Sequence, residues 1–386
     1  MENTLTSLAP TLYESLDVIS RELVGFIPAV RLDAGVARAA VGQQVLSYVT
    51  PSVTANDLTP GVTAPDDGDQ SIGNVALSIT KSRGVPVRWN GEEQRSLNNN
   101  GPGYRPILVD QFAQAMRTLC NEMENDTAQA AYLGSSRAYG TAGTTPFATA
   151  GDFSDASNVL KILKDNGAPL SDAHLVIDTT AGAKMIGLQS RYDVAGDVSM
   201  QNQGVLIQKA GLKIRESAAV PSAVAAGTAA GATTNAAGYA VGATVLTLAA
   251  AGTGSIVAGD VITFAGDTNK YLVASGDSDV SNGGTITLAA PGLRVAMSAA
   301  TKAITVVEAA TRNIAFDRNA IVLATRAPAI PAEGDMADDA MIITDPRSGL
   351  SFEVRLYKQY RQIRYEVAAS WGVKAVKSAH IATLLG

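Results

Sequence analysis

The chain has 386 residues, and at about 150 residues per domain this length suggests two or three domains. The net charge of −6 argues against a nucleic-acid-binding protein, because such proteins present a basic face to the phosphates. One cysteine, Cys120, excludes an intrachain disulfide, and two histidines nearly exclude a structural zinc site. Nucleophile-elbow, Walker A and metalloprotease motifs are absent from the sequence. We therefore predict no enzymatic activity, no catalytic or metal site and no cofactor.

The N-terminus carries an acidic residue and no basic region, so we expect no secretory signal. The longest uncharged stretch, residues 217–259, is dominated by alanine and glycine. It lacks the density of large apolar residues that membrane insertion needs, so we expect no membrane span. These features are typical of a soluble protein made in a reducing cytoplasm.

An apolar stripe with spacings of three and four residues predicts an amphipathic helix near the N-terminus. The stripe consists of Leu5, Leu8, Leu12, Leu16, Ile19 and Leu23. Gly25 and Pro28 are expected to end this helix. No adjacent segment of sequence covers the stripe, so it packs either on its own domain or on another subunit.

Residues 43–98 have the pattern of a long β-hairpin. One arm covers Gln43 to Thr50, and the returning arm alternates apolar and polar residues, as strands do. The alternating apolar residues are Val75, Leu77, Ile79, Val85, Val87 and Trp89. A long segment containing prolines separates the two arms, and such a loop is typical of a binding element or a flexible arm.

Three acidic residues, Asp66, Asp67 and Asp69, cluster between these arms. They form either a solvated loop tip or a contact with a basic patch on a neighbouring subunit. Arg83 and Arg88 on the returning strand are the candidate partners in such a contact. A calcium site is a weaker alternative, because no complete ligand loop follows the cluster.

Residues 104–135 carry the clearest helical pattern of the chain, and the turn-forming sequence NNNGPG precedes them. The apolar stripe consists of Leu108, Phe112, Met116, Leu119 and Met123. A helix of roughly 28 to 30 residues spans about 42 to 45 Å, so we interpret it as a spine between distant parts of the fold.

Two segments with different patterns follow this helix. Residues 152–220 alternate helix and strand, with a buried strand at 173–178, and His174 at its edge is interpreted as structural rather than as a ligand. Residues 221–308 instead contain at least five short strands separated by glycine-rich turns, which predicts a small barrel or sandwich. Mixed α/β patterns resume afterwards, so residues 221–308 are interpreted as an inserted domain.

Three stretches carry a resemblance to a known family: TVLTLAAAG with IVAGDVITFAG and GTITLAA, then TRNIAFDRNAIVLATRAPAIP, and finally QIRYEVAASWGVKAVKSAHIATLL. Together with the order of the elements, they resemble the major capsid (coat) proteins of tailed phages, which have the Hong Kong 97-type fold. The similarity is greatest to coat proteins of short-tailed phages that carry an inserted β-barrel domain.

This resemblance implies an α+β fold with five parts. They are an N-terminal arm at 1–42, an extended β-hairpin (E-loop) at 43–98, a peripheral domain with the spine helix at 99–140 and 345–386, an apical domain at 141–220 and 309–344, and the inserted β-barrel at 221–308.

The function that the resemblance implies is self-assembly into the pentamers and hexamers of an icosahedral shell around double-stranded DNA. It implies a scaffolding protein and a portal as partners, DNA enclosed without sequence-specific binding, and no membrane. The protein is then expected in the virion, after assembly in the host cytoplasm. The alternatives are an encapsulin-like cellular nanocompartment, which the inserted barrel disfavours, and an α/β enzyme, which lacks a convergent set of catalytic residues.

Overall fold

The computed structural model describes residues 25–49, 60, 73–100, 103–149, 152–189, 208–209, 211–222, 224–345 and 349–386. The helix predicted near the N-terminus lies outside them. In this part of the chain four α-helices accompany three sheets of six, eleven and two strands, which makes a mixed α/β structure. The helices are α1 (Gly91–Asn100), α2 (Tyr104–Leu133), α3 (Ser154–Asp165) and α4 (Thr179–Gln189).

The strands before the insertion are β1 (Arg31–Ala39), β2 (Gln44–Val49), β3 (Gly73–Ser78), β4 (Lys81–Asn90), β5 (Arg137–Tyr139), β6 (Ala173–Ile177), β7 (Gln208–Lys209) and β8 (Leu212–Glu216). Those within it are β9 (Val245–Leu248), β10 (Val261–Phe264), β11 (Lys270–Ser275), β12 (Gly284–Leu288) and β13 (Ile304–Val306). Those after it are β14 (Arg312–Asp317), β15 (Ile321–Pro328), β16 (Asp339–Thr344), β17 (Ser351–Gln359), β18 (Gln362–Ala375) and β19 (Ile381–Leu385).

Helix α2 packs against the six-stranded sheet, whose order is β1-β15-β18-β17-β16 with β4 also paired to β18. The Phe112 ring meets Tyr365 of β18 edge-on at 5.4 Å between centroids, and Trp371 of β18 is fully buried. The 30 residues of α2 span about 45 Å at 1.5 Å each, so the long helix predicted from the apolar stripe is confirmed. Its role as a spine stays a prediction.

The eleven-stranded sheet runs β13-β10-β11-β5-β19-β14-β6-β8-β7, with β12 and β9 continuing from β11. The short strands predicted in the insertion are present as β9 to β13. The insertion is joined to the rest of the sheet because β11 pairs with β5, a strand of only three residues. Whether these strands close into a barrel stays a prediction.

Besides the connection through α1 and α2, which leads from β4 to β5, the chain crosses between the two large sheets at two adjacent places. One crossing, after β14, uses the short helical turn Arg318–Ala320, and the other, after β18, uses Ser378–His380. The amide of Val376 donates to the carbonyl of Ala320, which holds the crossings together. As a result β15 and β16 lie in the sheet that packs on α2, and β19 lies in the other sheet. The boundaries expected for the peripheral and apical domains stay a prediction.

The expected hairpin over residues 43–98 is shorter than the pattern suggested. β2 pairs with β3, whereas β4 pairs along its whole length with β18. The amide of Thr80 donates to the carbonyl of Trp371 at 3.0 Å, where the chain passes from the ribbon to the large sheet.

Among the described residues, no helix is both long enough and apolar enough to cross a bilayer.

Candidate assembly surfaces

The two-stranded ribbon formed by β2 and β3 is fastened to the six-stranded sheet at one end. The amide of Thr80 donates to the carbonyl of Trp371 of β18 at 3.0 Å, and Lys374 Nζ of β18 donates to the carbonyl of Ala76 at 2.9 Å. Leu77 and Ile79 are buried in a small apolar cluster that also contains Val322 of β15. The base of the ribbon is therefore part of the folded body.

Beyond its base, the ribbon pairs with itself. Within the described ranges, β2 pairs with β3 from Gln44 opposite Ser78 to Val49 opposite Gly73, and with no other strand. An isolated two-stranded ribbon is marginally stable in water, so a further surface is needed to support it. The predicted tip residues Asp66, Asp67 and Asp69 follow β2 in sequence and lie outside the described residues.

Arg83 and Arg88 are on β4, which belongs to the six-stranded sheet and not to the ribbon. Placing them on the returning strand of the hairpin was therefore wrong, because the chain changes sheets at residues 79–80. Arg83 Nε lies 3.3 Å from Glu122 Oε1 of α2 in the same chain, and Arg88 lines a groove beside Asp110. A contact between these arginines and the acidic cluster stays a prediction.

Two large apolar side chains stand out at the tips of the six-stranded sheet. Tyr360 is 89% exposed in the two-residue turn between β17 and β18, and Met336 is 88% exposed between β15 and β16. Sequence reasoning missed both. The available signal was an apolar side chain in a polar turn, since Tyr360 stands between Gln359 and Arg361. Such residues are candidates for contact with another subunit.

A buried ion network fixes the loop that carries Met336. Glu353 of β17 is almost fully buried and lies 2.6 Å from Arg38 NH2 and 3.0 Å from Arg355 Nε. Arg355 also pairs with Asp335, the residue before Met336. Because Asp335 pairs with Arg355 of β17, the loop is held against the sheet, and Met336 has a defined position on the surface.

A third exposed apolar patch lies on the insertion. Val241, Val245 and Val295 each expose about half or more of their surface, and Tyr239 forms an isolated antiparallel β-bridge with Met297.

Among the described residues, no cluster of three or more histidine, cysteine or acidic side chains could hold a metal ion.

His174, interpreted above as structural, lies in β6 and is almost fully buried. Its Nδ1 accepts a hydrogen bond from Arg215 Nε at 3.4 Å, and its Nε2 lies 3.0 Å from Asp172 Oδ1. The pKa of His174 is lowered to about 4, mainly by burial; the nearby Arg215 and Lys213 contribute to this lowering, and Asp172 opposes it. The imidazole is therefore neutral at neutral pH.

We predict that His174 makes the protein less stable as the pH falls from about 6.5 to about 4. In that range the unfolded chain binds a proton at this residue and the folded chain does not. The shift corresponds to roughly 3 kcal/mol of unfolding free energy. His174→Gln should flatten the pH dependence measured by urea unfolding between these two values. A variant with the same pH dependence as the parent would contradict this.

Solved structures similar to this chain include several shells. They are the capsid of Cyanophage P-SCSP1u (12% identity, TM-score 0.48, covering 95% of this chain and 88% of that one), the mature capsid of bacteriophage PhiM1 (11%, 0.45, 94% and 86%) and a virus-like particle from Pyrococcus furiosus (9%, 0.45, 97% and 98%). No family model matches the chain, and no curated protein matches it.

Proposed function

We propose that this chain is the major capsid protein of a tailed bacteriophage, with a Hong Kong 97-type fold. The observation that carries the proposal is the β2–β3 ribbon, which is fastened at its base and pairs only with itself beyond it. A folded monomer has little use for such an extension, whereas a shell subunit needs arms that reach its neighbours. The sequence resemblance described above supports the same conclusion.

Shell assembly also fits the other exposed surfaces. A stable interface buries about 1,200 to 2,000 Å² in total, and a subunit of a closed shell needs several of them. The ribbon, the Met336 and Tyr360 tips and the valine patch of the insertion lie on different parts of the fold. Met336, Tyr360 and the exposed valines of the insertion provide apolar area that the centre of an interface requires.

The proposal includes the partners and location of such a subunit. Copies of the chain form pentamers and hexamers, with a scaffolding protein and a portal as further partners. Double-stranded DNA is enclosed without sequence-specific recognition, and a net charge of −6 limits adhesion of the DNA to the shell. The protein then belongs to the virion and assembles in the host cytoplasm. Residues 221–308 act as an inserted module on the apical side.

Electron microscopy of the purified full-length protein tests this function. We expect shells or ring-shaped capsomers, and analysis of the contents of shells isolated from the producing cells should find double-stranded DNA. Small monodisperse particles at all concentrations would contradict the proposal. Shells that hold a cargo enzyme and no DNA would favour the encapsulin-like alternative.

Reversing the charge of Asp66, Asp67 and Asp69 to lysine should lower the yield of shells while the monomer stays folded. The reason is that the cluster is proposed to face a basic patch on a neighbouring subunit. Shell yield is measured by sedimentation, and folding by circular dichroism. A control with Glu92, Asp152 and Glu308 changed to lysine shifts the net charge equally at exposed positions. Equal shell yields from the two variants would count against a contact at the cluster.

A further inference from the structure

The carboxylate of Glu124, in the second half of helix α2, is a buried acid with an unusual set of partners. The residue is only 3% exposed, and no basic side chain of the described residues forms an ion pair with it. Instead, Oε1 accepts hydrogen bonds from the backbone amides of Gly25 and Phe26, both at 2.7 Å, and Oε2 accepts one from Ile27 at 2.9 Å. Three consecutive amides thus converge on one side chain.

A fourth donor ties this carboxylate to the other large sheet. The hydroxyl of Ser217, which follows β8 directly, donates to Oε1 at 2.8 Å. Ser217 is itself buried, and its amide donates to the carbonyl of Ile177 at the end of β6. Glu124 therefore connects three parts of the molecule: the spine helix, the end of β8 and the segment that leads into β1.

The surroundings of Gly25 show that the segment is tightly seated. A Cβ atom on Gly25 would lie 2.8 Å from the carbonyl oxygen of Glu216 and 2.9 Å from a methyl group of Val176. The next residue, Phe26, is fully buried and stacks on Phe316 with ring centroids 6.2 Å apart. The amides of Ala29 and Val30 both donate to the carbonyl of Phe26, which closes a turn.

A buried carboxylate normally costs free energy, because it loses its hydration. Here four donors replace the water, and hydrogen bonds to a charged acceptor are among the strongest in proteins. An apolar residue would fill this position of α2 at lower cost if packing were its only task. The convergence of amides at residues 25–27 indicates that the charge serves to hold this piece of backbone.

We infer that Glu124 is the anchor that holds the backbone of residues 25–27 against the folded body. Residues 1–24 directly precede Gly25 in the sequence, so the anchor fixes the residue to which they are joined. Two neighbouring acids on α2 hold the strand that follows the ribbon: Glu122 and Asp126 pair with Lys81 of β4 at 3.0 and 2.8 Å. One short stretch of α2 thus positions both residues 25–27 and β4. The role of this segment in assembly rests on the proposed function.

Hydrogen exchange measured by mass spectrometry on the full-length protein tests the anchor. Glu124→Gln keeps the size of the side chain but places an amide N–H₂ group opposite backbone N–H donors. We expect exchange at residues 25–27 to accelerate by roughly tenfold or more. Peptides from the centre of β14 and β18 should change much less. A uniform acceleration in all core peptides would mean general destabilisation and would overturn the anchor, as would no change at residues 25–27.

Two further variants distinguish a local effect on residues 25–27 from general destabilisation. Glu122→Gln is the matched control on the same helix, because Glu122 binds side chains of β4 and not the backbone of residues 25–27. It should leave exchange at residues 25–27 unchanged. Ser217→Ala removes one of four donors and should produce a smaller local acceleration, even if Glu124→Gln folds poorly. No local effect in Ser217→Ala, together with failure of Glu124→Gln to fold, would overturn the inference.

Shell formation is then compared for the same variants. Glu124→Gln should reduce correctly closed shells more than Glu122→Gln does. If the parent protein forms no shells, the proposed function fails, but the exchange result still decides the anchor. If Glu124→Gln shows local exchange and yet assembles normally, the anchor holds the backbone without serving assembly, and the role in assembly is overturned.

Discussion

Replacing Gly372 with alanine is expected to detach the base of the ribbon from strand β18. A Cβ atom at this position would lie 2.0 Å from the carbonyl oxygen of Ser78 and 3.1 Å from Cα of Ile79. Both are backbone atoms, so the collision cannot be relieved by rotation of a side chain. Because Ile79 is fully buried at this point, the shift also disturbs its packing.

The expected cost of Gly372→Ala is about 1 to 3 kcal/mol of unfolding free energy, as for other overpacked sites. Exchange at the amides of Ile79 and Thr80 should increase, since their hydrogen bonds hold the ribbon base. If the ribbon reaches a neighbouring subunit, shell yield should also fall. Urea unfolding and hydrogen exchange provide the measurements.

Gly91→Ala is the matched control for this variant. Apart from its chain neighbours and its own helix backbone, no heavy atom of the described residues lies within 4 Å of a Cβ at Gly91, which is the first residue of α1. Alanine there should be neutral or slightly stabilising, because it reduces the freedom of the unfolded chain. If Gly372→Ala behaves like Gly91→Ala in both measurements, the seating of the ribbon on β18 is contradicted.

The elements with a strong local pattern could be predicted from the sequence, and the partners of those elements could not. The stripe from Leu108 to Met123 predicted α2, and the short runs between glycine-rich turns predicted the strands of the insertion. The separation of β3 from β4 was missed because both alternate, and no glycine or proline lies at Ile79 or Thr80, where the chain changes sheets. Alternation shows that a segment is a strand, but the pairing depends on contacts distant in sequence.

The pairing of the insertion with the rest of the sheet could not be predicted, for a different reason. It depends on β5, whose three residues are too few to show any periodicity. Buried charges are equally invisible, because a charged residue in a sequence is usually exposed. Nothing in the sequence indicates that Glu124 and Asp260 are buried. The resemblance to capsid proteins could suggest an assembly role, but it could not identify Met336, Tyr360 or Glu124.

A second large effect is expected where the insertion meets the end of the spine helix. Arg312 begins β14 and has no exposed surface, and none of its guanidinium nitrogens has a hydrogen-bond partner among the described residues. Burial lowers the pKa of Arg312, while the negative charge of Asp260 in the insertion raises it. Burial and the charge of Asp260 also raise the pKa of Tyr132 near the end of α2, whereas Arg312 lowers it. These residues therefore share one buried electrostatic environment.

Asp260→Asn should destabilise the protein by about 1 to 3 kcal/mol, because it leaves a buried backbone amide without an acceptor and removes the negative charge that favours the charged form of Arg312. Asp260 also accepts hydrogen bonds from the amides of Val257 at 2.7 Å and Gly227 at 2.9 Å, and an asparagine can serve only one of them. Arg312→Met should cost less, since removing the guanidinium also removes its desolvation penalty.

The double variant decides whether the two charges depend on each other. In the Arg312→Met background the buried cation near Asp260 is removed, so Asp260→Asn should cost about 0.5 to 1 kcal/mol less than it does in the parent. Urea unfolding of the four proteins measures this coupling. Asp279→Asn, at an exposed cap in the same insertion, should be additive with Arg312→Met. If Asp260→Asn were additive as well, the charge of Arg312 would be compensated elsewhere, and the attachment of the insertion would depend on the β11–β5 pairing and apolar packing alone.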